Sequence, residues 1–592
     1  MQVSTPASVA TVTPTTSAPG QVPLVIGVTS HRNLDPYEVV RLHHAVRNVL
    51  TRLMQQFPKL PLTVLSALAE GGDRLVADEA LACGAKLVAV LPLPPELYVE
   101  DFSDARSRLQ FADLCQRASV LQLPLLPRNT RANISVAGTQ RDAQYAEAGI
   151  FIASHCHILL ALWDGRPSNL YGGTAQIVHY HLHGVLPGLV ERRRSRRPLF
   201  DQGDESLVCH IACSRRLEDG TSEAPLPPLQ PLQARWLSPS DNRPLETGLK
   251  DGFVRIFQRM VQFNNDARDY GHEIAQHAPH ESGTNPENRE HALLAELFNT
   301  SDWLAIHFQK RVQVGMRSIH ILAALMGIAF VGYSDLPGDM IDQTPMLYLF
   351  IALFAAGVVL DRIARRREWH RKYIDYRALA EGLRVQQYWH RAGVAASESV
   401  AFAHDNFLQK QDIELGWIRN VMRAAGLYKL QFDGADTQAL DKVIDEWIGT
   451  ALGGGQLYYY TQRTDQRIRV HQAAQRLGRI CLWSGIFIGL ILMAFHRMID
   501  SDATTSLVAM IGVLAIIAAA RESYAWRRAD KELIKQYRFM RNIFTGARAA
   551  LDAEPDPQER REILGALGEA ALAEHAEWAL MHRERPLEHG KL

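Results

Sequence analysis

A pair of adjacent glycines, Gly71 and Gly72, stands between Glu70 and the charged pair Asp73-Arg74. These five residues follow a short apolar run and precede a stretch of helical periodicity, so they occupy a strand-to-helix turn. Glycines in such a turn let backbone N–H groups approach a ligand closely, and the helix N-terminus favours phosphate. The stretch therefore predicts an anion-binding turn, in which Asp73 serves either as an acid or as the cap of the helix.

Two further turns of this kind occur in the N-terminal half. One contains Gly27, Thr29, His31 and Arg32; the other contains Asp164 and Gly165, followed by Gly172, Gly173 and Thr174. Asp164 could accept a ribose hydroxyl or cap a turn. Arg32, Arg74 and, further along the chain, Arg141 could pair with phosphates or with ordinary surface acids. We take the residues of all three turns as the candidate ligand-binding set and assign none of them as catalytic.

The elements that must position these turns alternate between apolar runs and helical stretches. We predict strands at 24–28, 62–66, 86–91 and 158–163, and helices at 36–56, 74–82 and 174–183. Apolar strands that alternate with helices indicate a parallel sheet covered on both faces. The predicted fold class for residues 22–250 is therefore an α/β doubly wound parallel sheet, Rossmann-like. All three turns then lie at carboxyl ends of strands, which predicts a nucleotide or phosphosugar pocket.

Two segments depart from this pattern. Residues 1–21 lack the basic and apolar regions of a secretory signal and predict a disordered leader. Residues 190–250 hold five arginines between positions 192 and 197 and a proline-rich stretch, which predicts an inserted loop with one further strand near 206–211. We interpret the arginines as a solvated loop; a nucleic-acid site and an anionic membrane surface are the alternatives.

The overall composition excludes several protein classes. The chain has 64 Lys and Arg against 64 Asp and Glu and is 47% hydrophobic, which excludes a disordered protein and a strongly basic nucleic-acid coat. Its six cysteines form no CxxC pair and predict free thiols in a reducing cytoplasm. The spacing of Cys209, His210 and Cys213 matches no common zinc module. We predict neither a metal nor a cofactor.

From about residue 290 onward the sequence becomes helical and contains four apolar segments without Asp, Glu, Lys or Arg. They are Ile319–Tyr333, Met346–Leu360, Ile480–Phe495 and Leu507–Ala520. Each is shorter than the ~20 residues that comfortably span a bilayer, so buried core helices are the alternative to membrane spans.

The charges that flank these segments favour the membrane. The first link carries Asp335, Asp339 and Asp342 and no basic residue, and the second carries Asp500 and Asp502 against Arg497. Basic residues cluster on the opposite side, after segments two and four and before segment three. This is the distribution of the positive-inside rule. We therefore predict four transmembrane helices, a lipid bilayer as partner, and cytoplasmic placement of both termini and the α/β domain.

The two hairpins repeat one pattern. A charged helix with a Tyr-Arg pair follows each, Tyr376-Arg377 in one and Tyr537-Arg538 in the other, at a spacing of roughly 160 residues that indicates duplication. We predict a first two-helix transmembrane module at 290–400, a helical connector at 401–455 and a second module at 456–592 that ends in a helix at 559–582. Small residues recur in the spans, which favours helix–helix contacts, and we expect a homo-oligomer.

Residues 66–92, SALAEGGDRLVADEALACGAKLVAVLP, resemble the core of the SLOG superfamily, which joins the Smf/DprA proteins with the LOG-type nucleotide phosphoribohydrolases. The stretch from Arg141 through Gly165, and then Gly172 to Thr174, is similar to the distal half of that superfamily. The two hairpins look like SLATT modules, two-helix membrane effectors of bacterial conflict systems. The resemblance implies a cytoplasmic sensor of a nucleotide-derived ligand and a membrane-perturbing or pore-forming part in antiphage defence, at the bacterial inner membrane.

One departure from the LOG-type pattern bears on activity. Those hydrolases carry a catalytic Glu on the helix after their glycine run, whereas here Thr174 is followed by Ala175 and Gln176, and an amide cannot act as a general acid or base. We therefore expect ligand sensing, with a membrane-tethered nucleotide or nucleoside-monophosphate hydrolase as the alternative. We do not expect nucleic acid as a partner, because the domain has no basic run outside residues 192–197.

Overall fold

A computed structural model describes most of the chain. The described residues are 20–102, 104–126, 128–168, 170–186, 206–217, 219–277, 289–336, 343–394, 407–408, 413–427, 437–495, 497–528 and 530–583. They divide into two compact units, one formed by Met1–Thr300 with Ala401–Phe432 and the other by Ser301–Val400 with Asp433–Leu592. The predicted leader, except for its last two residues, and the arginine run at 192–197 lie outside the described residues.

The first unit is built on an eight-stranded sheet and a small two-stranded ribbon. The strands are β1 (Leu24–Ser30), β2 (Leu62–Ser66), β3 (Lys86–Leu91), β4 (Ser119–Gln122), β5 (Ile158–Trp163), β6 (Val208–Ala212), β7 (Arg215–Arg216), β8 (Ser222–Glu223), β9 (Ala234–Ser238) and β10 (Asp241–Pro244). The order in the large sheet is β10-β9-β6-β5-β1-β2-β3-β4, and β7 pairs with β8. The six strands from β6 to β4 pair in parallel. The α/β doubly wound, Rossmann-like class is confirmed.

Nine helices among the described residues up to His277 belong to the first unit. They are Val39–Gln56, Gly72–Ala82, Pro95–Tyr98, Ala105–Arg117, Arg131–Ile134, Thr139–His155, Thr174–His183, Asp251–Asp269 and Gly271–His277. The central strands β2 and β5 are buried along almost their whole length, because they are apolar at nearly every position and helices cover both faces.

The segment predicted as an inserted loop contributes more to the sheet than expected. β6 extends the parallel sheet beside β5, and β9 and β10 follow it as an antiparallel edge. Cys209 pairs with Trp236 in this register, so the Cys209–Cys213 segment belongs to the sheet core. An antiparallel edge strand can carry polar residues on one side, which is why its sequence does not show the apolar pattern of a buried strand.

The predicted connector at 401–455 is divided between the two units. Its helix Gly416–Ala425 packs in the first unit, where the Asn420 carbonyl lies 2.8 Å from His157 Nε2 and the Trp417 ring lies 6.0 Å from that of Phe263. Burial lowers the pKa of His157 to about 3, so the ring is neutral; its Nδ1 accepts from the backbone N–H of Val25, which leaves the Nε2–H to donate to Asn420. The helix Thr437–Trp447 belongs to the second unit.

The second unit is helical. Besides Thr437–Trp447, its helices are Arg289–Ser334 (from Ser301 onward), Gln343–Arg366, Trp369–Ala392, Gly455–Phe495, Ser501–Arg527, Asp530–Ala553 and Pro557–Arg583. Each predicted apolar segment lies within one helix, and four helices are long and apolar enough to cross a membrane. Large apolar side chains on them are open to the surroundings, such as Ile351 (53% exposed), Phe487 (65%) and Met493 (70%). These helices are compatible with a multi-pass membrane protein.

The two repeats predicted from the sequence have the same order of helices in the structure. Each apolar hairpin starts in a long helix, Arg289–Ser334 or Gly455–Phe495, and is followed by a charged helix of 24 residues. Tyr376 and Tyr537 occupy matching places: the Tyr376 ring lies 5.8 Å from Phe308, and the Tyr537 ring lies 5.7 Å from Tyr460. In each half a tyrosine of the charged helix thus packs on the long helix that precedes it.

Candidate functional site

The carboxyl ends of β5, β1 and β2 form the candidate site, because these three strands are neighbours in the sheet. The chain proceeds from β1 outward through β2, β3 and β4 on one side and then returns to β5 on the other side of β1. The reversal of strand order between β1 and β5 is a topological switch point, the place where open α/β sheets bind ligands. All three predicted turns follow strands at or beside this point.

The first and third turns meet through His31 and Asp164. The Nε2 atom of His31 lies 3.2 Å from Asp164 Oδ1 and accepts a hydrogen bond from the Asp164 backbone N–H at 3.1 Å. Asp164 is 2% exposed, and burial acts to raise its pKa, but the adjacent His31 imidazole and the hydrogen bond from the Arg166 N–H outweigh that effect and lower the pKa. An ionised carboxylate is thus fixed at the switch point.

The glycine pair of the second turn lies directly against the first turn. The Gly72 N–H donates to the His31 carbonyl at 3.1 Å. A Cβ on Gly71 would lie 2.0 Å from the Arg32 carbonyl oxygen, and one on Gly72 would lie 2.6 Å from the Cβ of Ser30. Gly71 also has φ +86°, a left-handed conformation that glycine adopts without strain. Both glycines are therefore required for the close approach of the two turns.

Asp73 is buried beneath this turn. Its Oδ1 accepts a hydrogen bond from Ser30 Oγ at 2.6 Å. Burial raises its pKa from 3.8 to about 6, although the bonds from Ser30 and the Ala69 backbone and the charges of Arg32 and Arg74 act in the opposite direction. Asp73 does not cap the helix Gly72–Ala82, whose N-cap position is Gly71 without a side-chain bond.

Arg74 is held inside the protein, with 2% of its surface exposed. Its Nε donates to the Leu68 carbonyl at 3.0 Å, and its Nη1 donates to the carbonyl and hydroxyl oxygens of Ser107 at 2.8 and 2.7 Å. The guanidinium carbon lies 4.3 Å from the centre of the Phe102 ring. Ser107 Oγ also contacts Glu70 Oε1, so Glu70 and Arg74 are joined through one serine. These bonds position Arg74 as a support of the turn.

A side chain of the helix Thr174–His183 is hydrogen-bonded to the turn that precedes this helix. Gln176 Oε1 accepts a hydrogen bond from the Gly172 N–H at 3.0 Å. A Cβ on Gly172 would lie 2.8 Å from the Cα of Ala146, and one on Gly165 would lie 2.5 Å from a methyl of Leu229. Gln176 therefore acts as a hydrogen-bond acceptor that holds this turn.

Gly27 and Thr29 lie within β1 and are not part of the open turn. A Cβ on Gly27 would lie 2.7 Å from Ile152 and 2.9 Å from Cys156, so this glycine allows the helix Thr139–His155 to pack on the strand. Thr29 is buried. A ligand contact at either residue stays a prediction.

Arg32 is the exposed cation of the site, with its guanidinium carbon 5.5 Å from the centre of the Tyr145 ring. The Tyr145 hydroxyl contacts Asp101, which also lies 2.8 Å from Arg141 Nη2. The sequence did not indicate Asp101 or Ser107, because they come from segments between the motifs. Arg141 and Tyr145 lie within the stretch from Arg141 through Gly165, but nothing in its pattern predicts that the Tyr145 ring lies beside Arg32.

Across the described residues, no group of three or more His, Cys, Asp or Glu side chains is placed to hold a metal ion. No family model, curated protein or solved structure matches this chain.

Proposed function

We propose that this protein is a membrane-bound receptor-effector that binds a nucleotide-derived ligand at the strand ends of its α/β unit and responds by perturbing the membrane or opening a pore. The observation that carries the proposal is the convergence of three glycine-containing turns at the switch point between β1 and β5. The helix Thr174–His183 begins at this edge, and a helix N-terminus favours a phosphate, whereas the Gly72 N–H already donates to the His31 carbonyl. Arg32 supplies an exposed positive charge at the same edge of the sheet.

The second unit supports the membrane part of the proposal. Its apolar helices leave large side chains exposed, and such surfaces require lipid or a protein partner. The basic residues that flank them favour a bilayer with the α/β unit on the cytoplasmic side, and the resemblance to SLOG and SLATT proteins favours the bacterial inner membrane and a role in antiphage defence. Packing of several copies would supply the helix contacts that a pore requires.

A sensor is favoured over a hydrolase by the state of the carboxylates. Asp73 is buried and bonded to Ser30, Glu70 contacts Ser107, and Asp164 is fixed by His31. A general acid or base must reach the atom that it protonates or deprotonates. Each of these groups is already engaged by protein, which suits a ligand-binding scaffold better than a catalytic one.

The test is dye leakage from liposomes that contain the full-length protein, with a panel of nucleotides added on the side of the α/β unit. We expect one nucleotide class to trigger leakage and Gly173→Asp to abolish it, because a carboxylate at the opening of the helix Thr174–His183 would repel the ligand. Gly184→Asn, at the far end of the same helix, should leave leakage unchanged, since Gly184 has φ +71°, no neighbour within 4 Å and Asn tolerates that conformation.

Chromatography of the nucleotides from the same experiment tests the alternative. Turnover that is lost in Glu70→Gln would establish a hydrolase and remove the pure-sensor proposal. Leakage that continues in Gly173→Asp, or protein that stays soluble without detergent, would contradict the receptor-effector proposal.

A further inference from the structure

The second unit contains a cavity of about 480 Å³, enclosed by helices from both hairpin repeats and by the C-terminal helix Pro557–Arg583. This volume falls within the ~300–1,000 Å³ of small-molecule sites, which often lie between the helices of bundles. Both charged helices and both long helices contribute to its wall. A molecule in this cavity would therefore contact both repeats at once.

One wall of the cavity is a closed network of opposite charges. Arg384 Nη1 lies 2.7 Å from Glu381 Oε1, and Arg377 Nη2 lies 2.5 Å from the same oxygen. Asp302, on the helix Arg289–Ser334, lies 3.4 Å from Arg377 and 3.5 Å from Arg384. Two arginines and two carboxylates balance here, so this wall supplies rigid geometry and no excess charge.

A second part of the lining adds positive charge on aromatic rings. The guanidinium carbon of Arg463 lies 5.6 Å from the centre of the Tyr459 ring, and that of Arg467 lies 5.3 Å from the centre of the Tyr537 ring. Glu574 is the remaining acid in the lining, and burial raises its pKa to about 7. Near neutral pH this cavity is therefore net positive.

A third part of the lining presents polar atoms that lack partners. Gln536 Oε1, Glu574 Oε1 and His575 Nε2 are buried and have no hydrogen-bond partner among the described residues. Burial also lowers the pKa of His575 to about 3, so the ring is neutral. Buried polar atoms are normally paired, and these three require N–H or O–H donors or matching acceptors in the cavity.

The position of the cavity along the helices favours a ligand from water over a lipid. Arg467 precedes the apolar segment that starts at Ile480 by about 13 positions, or roughly 20 Å at the rise of an α-helix. A headgroup at the end of the apolar segment would not extend so far. The ligand must therefore come from the aqueous phase on the basic side of the hairpins.

We propose that this cavity is a second ligand site, specific for a small anion that carries a flat ring with N–H donors, which is the chemistry of a nucleoside monophosphate. The phosphate contacts Arg463 and Arg467, the ring stacks among the tyrosines, and the N–H groups of the base pair with Gln536 and Glu574. Occupancy joins the two repeats and biases the hairpins toward one arrangement. This site is separate from the strand-end site of the α/β unit.

The test measures binding of the four ribonucleoside monophosphates to full-length protein in detergent micelles by equilibrium dialysis. The Gly173→Asp variant, whose carboxylate repels a phosphate at the strand-end site, isolates this second site. In that background we expect at least one monophosphate to bind. Arg467→Gln should lower the affinity for that monophosphate about 10- to 100-fold, which is the loss expected for one hydrogen bond to a charged group. Glu574→Leu should lower the affinity for the same nucleotide. The corresponding nucleoside and ribose 5-phosphate should each bind less tightly than the intact nucleotide.

Arg469→Gln is the matched control, since Arg469 is exposed on the same helix and does not line the cavity. Absence of binding by all four monophosphates, or equal binding by Arg467→Gln and the control, would overturn the proposal and leave a water-filled cavity. Displacement of the nucleotide by a short-chain anionic phospholipid would also overturn it, by assigning the cavity to a lipid headgroup. Neither result would bear on ligand binding at the strand ends, which Gly173→Asp tests separately.

Discussion

Asp73 predicts a pH dependence that can be measured at the strand-end site. The carboxyl group is buried, accepts a bond from Ser30 Oγ, and has its pKa raised by burial from 3.8 to about 6. In the unfolded chain the same group titrates close to its ordinary value. The folded state therefore keeps this proton over a range of pH in which the unfolded state has released it.

The sign of the effect follows from this difference. Below about pH 4 both states are protonated, and above about pH 6 both are ionised, so the stability contributed by Asp73 changes between these values. Because the folded state binds more protons in that range, stability falls as the pH rises. A shift of about two pKa units corresponds to a loss of about 3 kcal/mol, of which about 1.5 kcal/mol falls between pH 5 and 7.5.

Hydrogen exchange measured by mass spectrometry on the full-length protein gives the opening free energy of β2 and the helix Gly72–Ala82 at each pH, after correction for intrinsic exchange rates. We expect protection to fall with rising pH in the wild type. Asp73→Asn should remove most of the change of the opening free energy with pH. Asp113→Asn, at an exposed carboxylate, should retain that change. Protection that rises with pH, or a wild-type slope that survives in Asp73→Asn, would refute the reasoning.

Three further predictions concern packing and topology. Gly568→Ala should lower the free energy of unfolding by about 1–3 kcal/mol through overpacking, since its Cβ would lie 2.2 Å from Trp389 Nε1. Gly546→Ala, with no neighbour within 4 Å, should raise the free energy of unfolding by about 0.5–1 kcal/mol. Calorimetry in which both thermal midpoints move in the same direction would contradict this. Arg74→Lys should destabilise the turn by about 2–3 kcal/mol, seen as faster hydrogen exchange in the helix Ala105–Arg117, and unchanged exchange would show that the bonds of the guanidinium to its neighbours are dispensable. In intact cells a membrane-impermeant maleimide should label Ser501→Cys and not Gly546→Cys, and the reverse pattern would place the basic side outside.

The sequence predicts the fold where the apolar pattern is clear. The bounds of β2, β3 and β5 and of the helix Thr174–His183 agree with the predicted ranges, because each run ends at glycine, proline or polar residues. The edge strands β9 and β10 were not predicted, since residues such as Asp241 and Arg243 show no apolar alternation.

The candidate site was predictable in part for a similar reason. Parallel strands bring their carboxyl ends to one edge, so the glycine turns could be placed together from topology alone. The partners that hold them, such as Ser107 for Arg74, come from segments whose position depends on packing. The Tyr-Arg pairs of the repeat include two residues that line the cavity of the second unit, Arg377 and Tyr537. The sequence could not predict that they meet, because the lining residues are spread over helices from residue 302 to residue 582.

The helix Gly416–Ala425 belongs to the first unit although it follows the first hairpin in the chain, and this limits where the protein can be truncated. The first hairpin lies in the chain between the two segments of the first unit, Met1–Thr300 and Ala401–Phe432. A chain cut after Thr300 would lose the carbonyl that pairs with His157 and the indole that packs near Phe263. The first unit is thus completed only after the first hairpin has been synthesised, and expressing this unit alone requires the Gly416–Ala425 helix to be rejoined by a linker.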